Sequence, residues 1–269
     1  MSNVTMLSIK EFAEFSGLNE STLRYYDTIG LLSPEYRGAN RYRYYSPLQT
    51  ITVDFIKVLI KVGVPLSTIA SMNKNRTPQS VLALLTQQEN KLDRQLHDLQ
   101  TAYSIIHTYR NTIEAGIVAH EHDISVRTLD EAHIILGQVN DFSEAANFYE
   151  PFMRFCNMAN ENKIDLHYPI GGYYEDIHVF LNAPSQPTRF FSLDPRGNSK
   201  CNAGRYLIAH NKGYYGEFGD LPKRLLAHAQ TNGLSFRGPL YIIYLLDEIS
   251  MADHNQYVSQ IVVGVSKKR

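Results

Sequence analysis

The sequence has no tryptophan, only two cysteines and no long apolar run. A membrane-spanning helix needs about 20 mainly apolar residues, and the N-terminus has no signal-peptide core, so neither a membrane span nor export is expected. Cys156 and Cys201 lie far apart and outside any CxxC spacing, which predicts a reduced, cytoplasmic protein without disulfides. Lysine and arginine number 26 against 27 aspartate and glutamate, so net charge alone indicates no partner.

Residues 78–119 carry an apolar repeat with alternating steps of three and four, which is typical of a coiled-coil seam. Pro78 and Gly116 suit the two ends of a helix. At ~1.5 Å per residue this helix would be roughly 60 Å long, so its seam needs a partner, and a second copy of the chain is the simplest. One helix of an intramolecular bundle is the alternative. The repeat consists of Leu82, Leu85, Glu89, Leu92, Leu96, Leu99, Tyr103, Ile106, Arg110 and Ile113.

The first part of the chain contains two short predicted helices joined by a glycine turn. Ser8 and Glu11 form a capping box, which predicts a helix over residues 9–15. Gly17 suits the turn, and Asn19 is expected to cap a second helix. Such a pair is the helix-turn-helix pattern. The second helix would present polar side chains to a DNA groove, among them Thr22, Arg24 and Tyr25.

Arginine and tyrosine alternate in a predicted hairpin, or wing, after the second helix. Cations and phenols at a hairpin edge can reach phosphates. A third helix is predicted at 47–62, where Ile51, Phe55, Val58 and Leu59 recur at helical spacing, and Ser67 is expected to cap a fourth. Whether Tyr26 and Tyr45 are core or surface residues stays open. The wing residues are Arg41, Tyr42, Arg43 and Tyr44.

Residues 6–75 resemble the DNA-binding domain of the MerR family of transcription regulators. The motifs that carry this resemblance are Ser8-Ile9-Lys10-Glu11, Thr22-Leu23-Arg24-Tyr25-Tyr26-Asp27, Gly30-Leu31-Leu32, Tyr42-Arg43-Tyr44-Tyr45 and Gly63-Val64-Pro65-Leu66. The resemblance implies that Thr22, Arg24 and Tyr25 work in the major groove and that Arg41, Arg43 and Tyr44 hold the phosphate backbone. We also assign Tyr42 and Lys61 to the DNA-binding surface. In that family a long antiparallel coiled-coil dimerisation helix follows.

After the long helix the pattern changes to strands interleaved with two helices, which predicts an α+β sheet domain and suggests two βαββ units. Aromatic residues crowd this half of the chain. They can form core, but so many phenols together favour a cavity. The predicted strands are 124–128, 132–139, 167–174, 187–193, 204–211, 239–247 and 257–265, and the helices are 143–160 and 219–231.

Three segments, Gly204-Arg205-Tyr206, His210 to Tyr214 and Gly238 to Leu245, resemble the GyrI-like effector-binding domain, which also occurs in multidrug sensors of the MerR family. The resemblance implies a lipophilic aromatic ligand and puts Phe218 and Tyr257 at ligand-contacting positions. The full set of expected ligand-binding residues is Tyr149, Phe152, Tyr173, Phe190, Tyr206, Phe218, Ile242, Tyr244 and Tyr257.

One position departs from that family's pattern. Where the family commonly has a glutamate that meets a ligand cation, two residues before the last Tyr-Leu, this chain has Ile242. Aromatic faces can bind a cation without a carboxylate, so recognition by aromatic rings survives the loss, and the charge of the ligand stays open. Substitute carboxylates could come from Glu175, Asp176, Glu217 or Asp247.

These features predict an α+β protein with a winged helix-turn-helix DNA-binding domain at 1–76, a dimerisation helix at 77–119 and a GyrI-like effector-binding domain at 120–269. Residues 77–120 contain no cysteine, and His120-x-His122 offers too few ligands, so no metal or other cofactor is expected. No catalytic motif is visible, which favours a protein that is not an enzyme.

The MerR resemblance implies a homodimeric activator that binds a pseudo-palindromic promoter operator. On binding its effector, the dimer would bend and untwist an overlong spacer so that RNA polymerase can use both promoter elements. The alternative is a GyrI-like hydrolase that acts on a small hydrophobic ligand.

Overall fold

The computed structural model describes residues 5–74, 76–142, 149–164, 166 and 168–268. The chain forms two compact units, Met1–Gln100 and Thr101–Arg269. Within the described ranges, no helix is both long and apolar enough to span a bilayer.

The N-terminal unit begins with the predicted helix-turn-helix. Both halves of the capping box are present, because the backbone N–H of Ser8 donates to Glu11 Oε2 at 2.8 Å and that of Glu11 to Ser8 Oγ at 3.4 Å. Gly17 ends the first helix at φ 65°, in the left-handed region. Asn19 caps the second helix by accepting from the backbone N–H of Thr22 at 2.7 Å. The elements are β1 (Leu7–Ser8), α1 (Ile9–Ser16), α2 (Glu20–Thr28), β2 (Tyr36–Arg37), β3 (Arg43–Tyr45), α3 (Gln49–Lys61) and α4 (Leu66–Lys74).

A small antiparallel sheet of order β1-β3-β2 holds the wing against α1. Tyr45 of β3 pairs with Leu7 of β1 and stacks on Phe12, with 4.7 Å between ring centroids. Tyr45 and Tyr26 are both buried. The question that the sequence left open is therefore answered: these two tyrosines belong to the core.

Helix α3 is present, but its buried residues are mostly not those whose spacing predicted it. Val53, Ile56 and Leu59 are buried, whereas Ile51 and Val58 are exposed. Two apolar stripes run along this helix, and periodicity alone does not determine which of them faces the core. Ser67 was predicted to cap helix α4. The helix begins at Leu66, so Ser67 lies in its first turn instead.

The predicted long helix is present as α5 (Pro78–Val118), a single helix of 41 residues. Near its start, Leu84 is buried in the core of the N-terminal unit. Ile113 was predicted for the seam but packs on the sheet of the C-terminal unit. Five other residues of the predicted seam are exposed large hydrophobics: Leu82, Leu96, Leu99, Tyr103 and Ile106.

The C-terminal unit is an α+β domain. Its further elements are β4 (Ile124–Leu129), β5 (Ala132–Leu136), α6 (Tyr149–Glu161), β6 (Ile170–Tyr174), α7 (Ile177–Asn182), β7 (Arg189–Ser192), β8 (Ser199–Cys201), β9 (Gly204–Lys212), α8 (Leu221–Thr231), β10 (Leu234–Leu246) and β11 (Val258–Lys267). The sequence did not predict α7 or β8, which are too short to show a period. The start of the predicted helix at 143–160 lies outside the described residues.

The eight strands described in this unit form one sheet in the order β4-β9-β11-β10-β6-β7-β5-β8, and all neighbours are antiparallel. Apart from the short helix α7 between β6 and β7, the segments β5-α6-β6-β7 and β9-α8-β10-β11 have the same order of elements, and they meet at the β6–β10 pair. This topology confirms the two βαββ units. Strands β6 and β10 meet at the centre, with Gly172 opposite Ile242.

Candidate nucleic-acid interface and ligand cavity

Helix α2 carries the side chains predicted for the DNA groove. Tyr25 is exposed, and Thr22 is half-buried beside the cap. The Arg24 guanidinium bonds Glu20 Oε2 at 2.7 Å, one helical turn earlier. Because both side chains are largely exposed, this ion pair is worth little and leaves Arg24 free to exchange partners.

The wing is tied to α2 by one acidic side chain. Asp27 is only 5% exposed, and its carboxylate accepts hydrogen bonds from Arg37 Nη2 at 2.6 and 2.9 Å and from Arg43 Nε at 2.6 Å. Because the carboxylate is buried, losing either guanidinium group would leave its charge less well compensated, so both arginines hold the wing to α2. Arg43 therefore positions the wing in the free protein, in addition to any contact that it makes with phosphate.

The tip of the hairpin presents further polar groups. Arg41 is exposed and has φ 62°, and its backbone N–H donates to the Gly38 carbonyl at 2.8 Å to close the turn. Tyr42 is exposed, and Tyr44 stacks on Tyr36 with 4.8 Å between centroids. Lys61 is exposed at the end of α3. The structure thus places every residue predicted for DNA contact wholly or partly at the surface, and their contact with DNA stays a prediction.

The C-terminal unit contains a cavity of about 440 Å³ beside strands β6 and β10. Strand residues, α6, Tyr109 of α5 and three connecting turns form its wall. Gly172 leaves space on β6 opposite Ile242, where a side chain would enter the cavity. The turns contribute Pro184, Ser185 and Pro187, then Tyr214 to Gly216, and Asp247 to Ile249.

One side of the cavity is a cluster of tyrosine rings. Tyr215 lies edge-on to Tyr244 at 4.4 Å and to Tyr257 at 5.5 Å between centroids. The Tyr244 hydroxyl accepts from the backbone N–H of Gly216 at 2.9 Å, which fixes the turn that carries Tyr215. Tyr214 and Tyr149 lie within hydrogen-bonding distance of one another, 3.1 Å between their hydroxyls. Several ring faces and edges in one cavity suit a flat apolar body or a cation.

Seven of the nine residues predicted for ligand contact line this cavity. Tyr173 and Tyr206 do not line it. Successive side chains of a strand point to opposite faces, so Tyr174 lies at the cavity while Tyr173 contacts Tyr241 on the other face. Tyr206 donates to the Asn202 carbonyl at 2.6 Å, beside Cys201. The seven are Tyr149, Phe152, Phe190, Phe218, Ile242, Tyr244 and Tyr257.

A β-bulge changes which side chains of β10 reach the cavity. Tyr244 pairs with Ser259 and Leu246 with Val258, so Leu245 is an extra residue on one strand. The insertion reverses the alternation of side chains. Asp247, directly after the strand, lines the cavity together with Ile242 and Tyr244.

Among the four acids considered from the sequence, Asp247 alone lines the cavity. Glu175 binds Arg189 and the Tyr173 hydroxyl, and Asp176 caps α7. Glu217 accepts from the backbone N–H of Tyr214 at 3.2 Å. Burial raises the pKa of Asp247 above its usual range, because the charged form is poorly solvated there.

The sequence reasoning missed several cavity residues. Glu248 follows Asp247 and accepts a hydrogen bond from the Tyr215 hydroxyl. Tyr109, on α5, is an aromatic residue outside the predicted seam, a signal that could have revealed a second face of that helix. Tyr168 also lines the cavity and donates to Ser104 Oγ of α5 at 3.0 Å. Across the described ranges, no group of three or more His, Cys, Asp or Glu side chains is arranged to hold a metal ion.

Comparison with known proteins agrees with the helix-turn-helix and wing. The family model described as MerR family regulatory protein matches residues 8–45. An uncharacterised HTH-type transcriptional regulator of Pseudomonas aeruginosa is 32% identical over 100 residues, which are 35% of this chain and 76% of that protein. The chain belongs to the MerR family of regulatory proteins.

Similarity to one MerR relative extends over nearly the whole chain. The multidrug-efflux transporter 2 regulator of Bacillus subtilis is 24% identical over 262 residues, 96% of this chain and 95% of that one. Among solved structures, the cryo-EM structure of the EcmrR–DNA complex covers 97% of this chain and 100% of its own, at 18% identity and a TM-score of 0.38.

Proposed function

We propose that this chain is a homodimeric, ligand-responsive transcription activator that acts on promoter DNA in the cytoplasm. The proposal rests on one observation: a DNA-binding fold and a ligand-sized cavity occur in the same chain. A helix-turn-helix with an anchored wing occupies one unit, and an aromatic-lined cavity of about 440 Å³ occupies the other. A DNA-binding domain alone would not need such a cavity.

Helix α2 and the wing have separate tasks in this proposal. Thr22, Arg24 and Tyr25 would contact base edges in the major groove. Arg41, Tyr42, Arg43, Tyr44 and Lys61 would contact the sugar–phosphate backbone, which positions α2 without reading sequence.

The exposed apolar seam of α5 supports the homodimer. Leu96, Leu99, Tyr103 and Ile106 are exposed at steps of three and four. Two such helices in antiparallel register would bury these residues against each other. A dimer with two-fold symmetry fits a pseudo-palindromic operator.

The cavity supports a small aromatic effector. Its size and ring-lined wall suit a lipophilic compound, and the multidrug-efflux regulators among the relatives point the same way. Binding would favour a dimer that bends and untwists the promoter spacer, so that RNA polymerase aligns with both promoter elements.

The test starts with genomic DNA of the organism that encodes the chain. The purified full-length protein should enrich fragments that contain one pseudo-palindromic site. On that site, a panel of lipophilic aromatic dyes should raise transcription by RNA polymerase without adding contacts in a footprint. Failure to enrich any site, or dyes that bind without changing transcription, would reject the proposal.

The same incubations examine the hydrolase alternative. Mass spectrometry should recover each dye unchanged after prolonged contact with the protein. Turnover of a dye or ester probe that stops when Tyr257 is replaced would favour an enzyme instead.

A further inference from the structure

The cavity has a negatively charged corner at the end of β10. Asp247 and Glu248 both line it. Asp247 Oδ1 accepts the backbone N–H of Ile249 at 3.0 Å, and Glu248 accepts the Tyr215 hydroxyl. In the part of the chain that the structure describes, neither carboxylate forms an ion pair with a lysine, arginine or histidine. The protein itself therefore supplies no described counter-ion at this corner.

Helix α5 borders the same corner. Tyr109 lines the cavity. One turn further on, Ile113 packs in one cluster with Leu245 and Leu246, which directly precede Asp247. The approach is close at Gly116, where an added Cβ would lie 2.6 Å from Leu246 Cγ. Residues 109–116 of α5 thus lie directly against the strand end that carries the two acids.

We propose that a positively charged group of the effector binds at Asp247 and Glu248 beside Tyr109, so that α5 senses the charge of the effector while the tyrosine cluster holds its apolar body. This inference rests on the proposed function and adds the charge of the ligand and the helix that senses it. Position 242 would then have no part in charge recognition, because Ile242 supplies only an apolar surface.

Electrostatics supports this placement. The carboxylate of Asp247 is partly desolvated, so its attraction for a cation is screened less than at the surface. Burial raises the pKa of the Tyr109 phenol, and the nearby charges of Asp247 and Glu248 raise it further. A cation here would offset those charges and contact the Tyr109 ring directly.

The first experiment compares two probes of equal shape on the full-length protein. Biphenyl-trimethylammonium is a cation, and its neutral isostere has a tert-butyl group in place of the trimethylammonium. Calorimetry should show the cation binding about fivefold to thirtyfold more tightly. Hydrogen exchange should show that only the cation increases protection of α5 peptides covering residues 104–116. This comparison in the wild type needs no variant to fold.

Variants then locate the charge. Asp247→Asn keeps the oxygen that accepts from Ile249, and Glu248→Gln keeps an acceptor for Tyr215. Asp247→Asn should remove most of the preference for the cation and leave the affinity of the isostere within about twofold, with Glu248→Gln acting in the same direction. Glu175→Gln is the matched control, because that acid lies away from the cavity, and it should leave both affinities unchanged.

The outcomes separate the two proposals. If both probes bind with equal affinity, or the preference survives in the Asp247→Asn, Glu248→Gln double variant, the charged corner is rejected while the effector cavity stands. A cation that binds with the expected preference but protects no α5 peptide overturns the sensing role of α5. If neither probe binds the wild type, the effector cavity and this inference both fail.

Discussion

Replacing Leu96 by glutamate should separate the protein into monomers. Leu96 is 57% exposed in the single chain and lies in the middle of the seam. Full burial of a leucine side chain is worth about 1.5–3 kcal/mol, so covering the exposed part of Leu96 should contribute about 0.9–1.7 kcal/mol. In an isologous dimer each substitution counts twice, which gives about 1.7–3.4 kcal/mol.

That loss corresponds to a dimer dissociation constant raised about 15- to 300-fold, and the cost of burying a carboxylate adds to it. Sedimentation equilibrium over a range of protein concentrations measures this constant directly. DNA affinity should fall in parallel, because a monomer contacts only one half-site.

His97→Glu is the matched control. His97 is exposed on the same helix, one residue from Leu96 and outside the seam. The His97→Glu substitution should leave the dimer dissociation constant nearly unchanged. A Leu96→Glu protein that sediments like the wild type would refute the seam, and the antiparallel pairing would then have no support.

Three further results are expected. Arg43→Ala should weaken binding to all DNA sequences about equally and flatten the salt dependence of the affinity. Asp27→Asn should also weaken binding, by loosening the wing, but it should keep the salt slope. An Arg43→Ala protein with altered base preference and an unchanged slope would contradict the wing assignment. Tyr257→Ala should lower ligand affinity several-fold to tenfold, from the ~0.5–2 kcal/mol of one aromatic contact, and Tyr257→Phe should lower it much less, because the ring remains. Calorimetry measures both affinities. Equal losses in the two variants would count against recognition by the ring. Because burial raises the pKa of Asp247, the affinity for a cation should be full above that pKa and fall as the pH is lowered through it, with Glu248 as the second acid at this corner. The affinity for the neutral isostere should show no such fall. A flat pH profile for the cation would exclude a titrating carboxylate.

The sequence predicted the N-terminal unit closely because its signals are local. The capping box, the left-handed Gly17 and the Asn19 cap each depend on residues within four positions, and each is present. The spacing did not reveal which face is buried where two apolar stripes compete on one helix. Ile51 and Val58 have the right spacing for a core face, but Val53 and Ile56 are the buried residues.

The cavity was predictable in kind but not in detail. Strand alternation separates Tyr174 from Tyr173, and a prediction that is wrong by one residue selects the opposite face. The bulge at Leu245 changed the expected grouping of residues more than this one-residue uncertainty did. Strict alternation along β10 would group Asp247 with Tyr241 and Ile243, away from Ile242, and no sequence signal marked the extra residue.

The turns that border the cavity affect how its ligand range can evolve. Tyr214 to Gly216 and Asp247 to Ile249 contribute two of the cavity's phenols and both of its acids, yet they lie between strands and take no part in strand pairing. A substitution there can alter which molecule is accepted without shifting the register of the sheet or disturbing the buried strands. The two βαββ units can therefore remain constant while selection acts on a few turn residues, and related regulators could acquire new inducers by single substitutions.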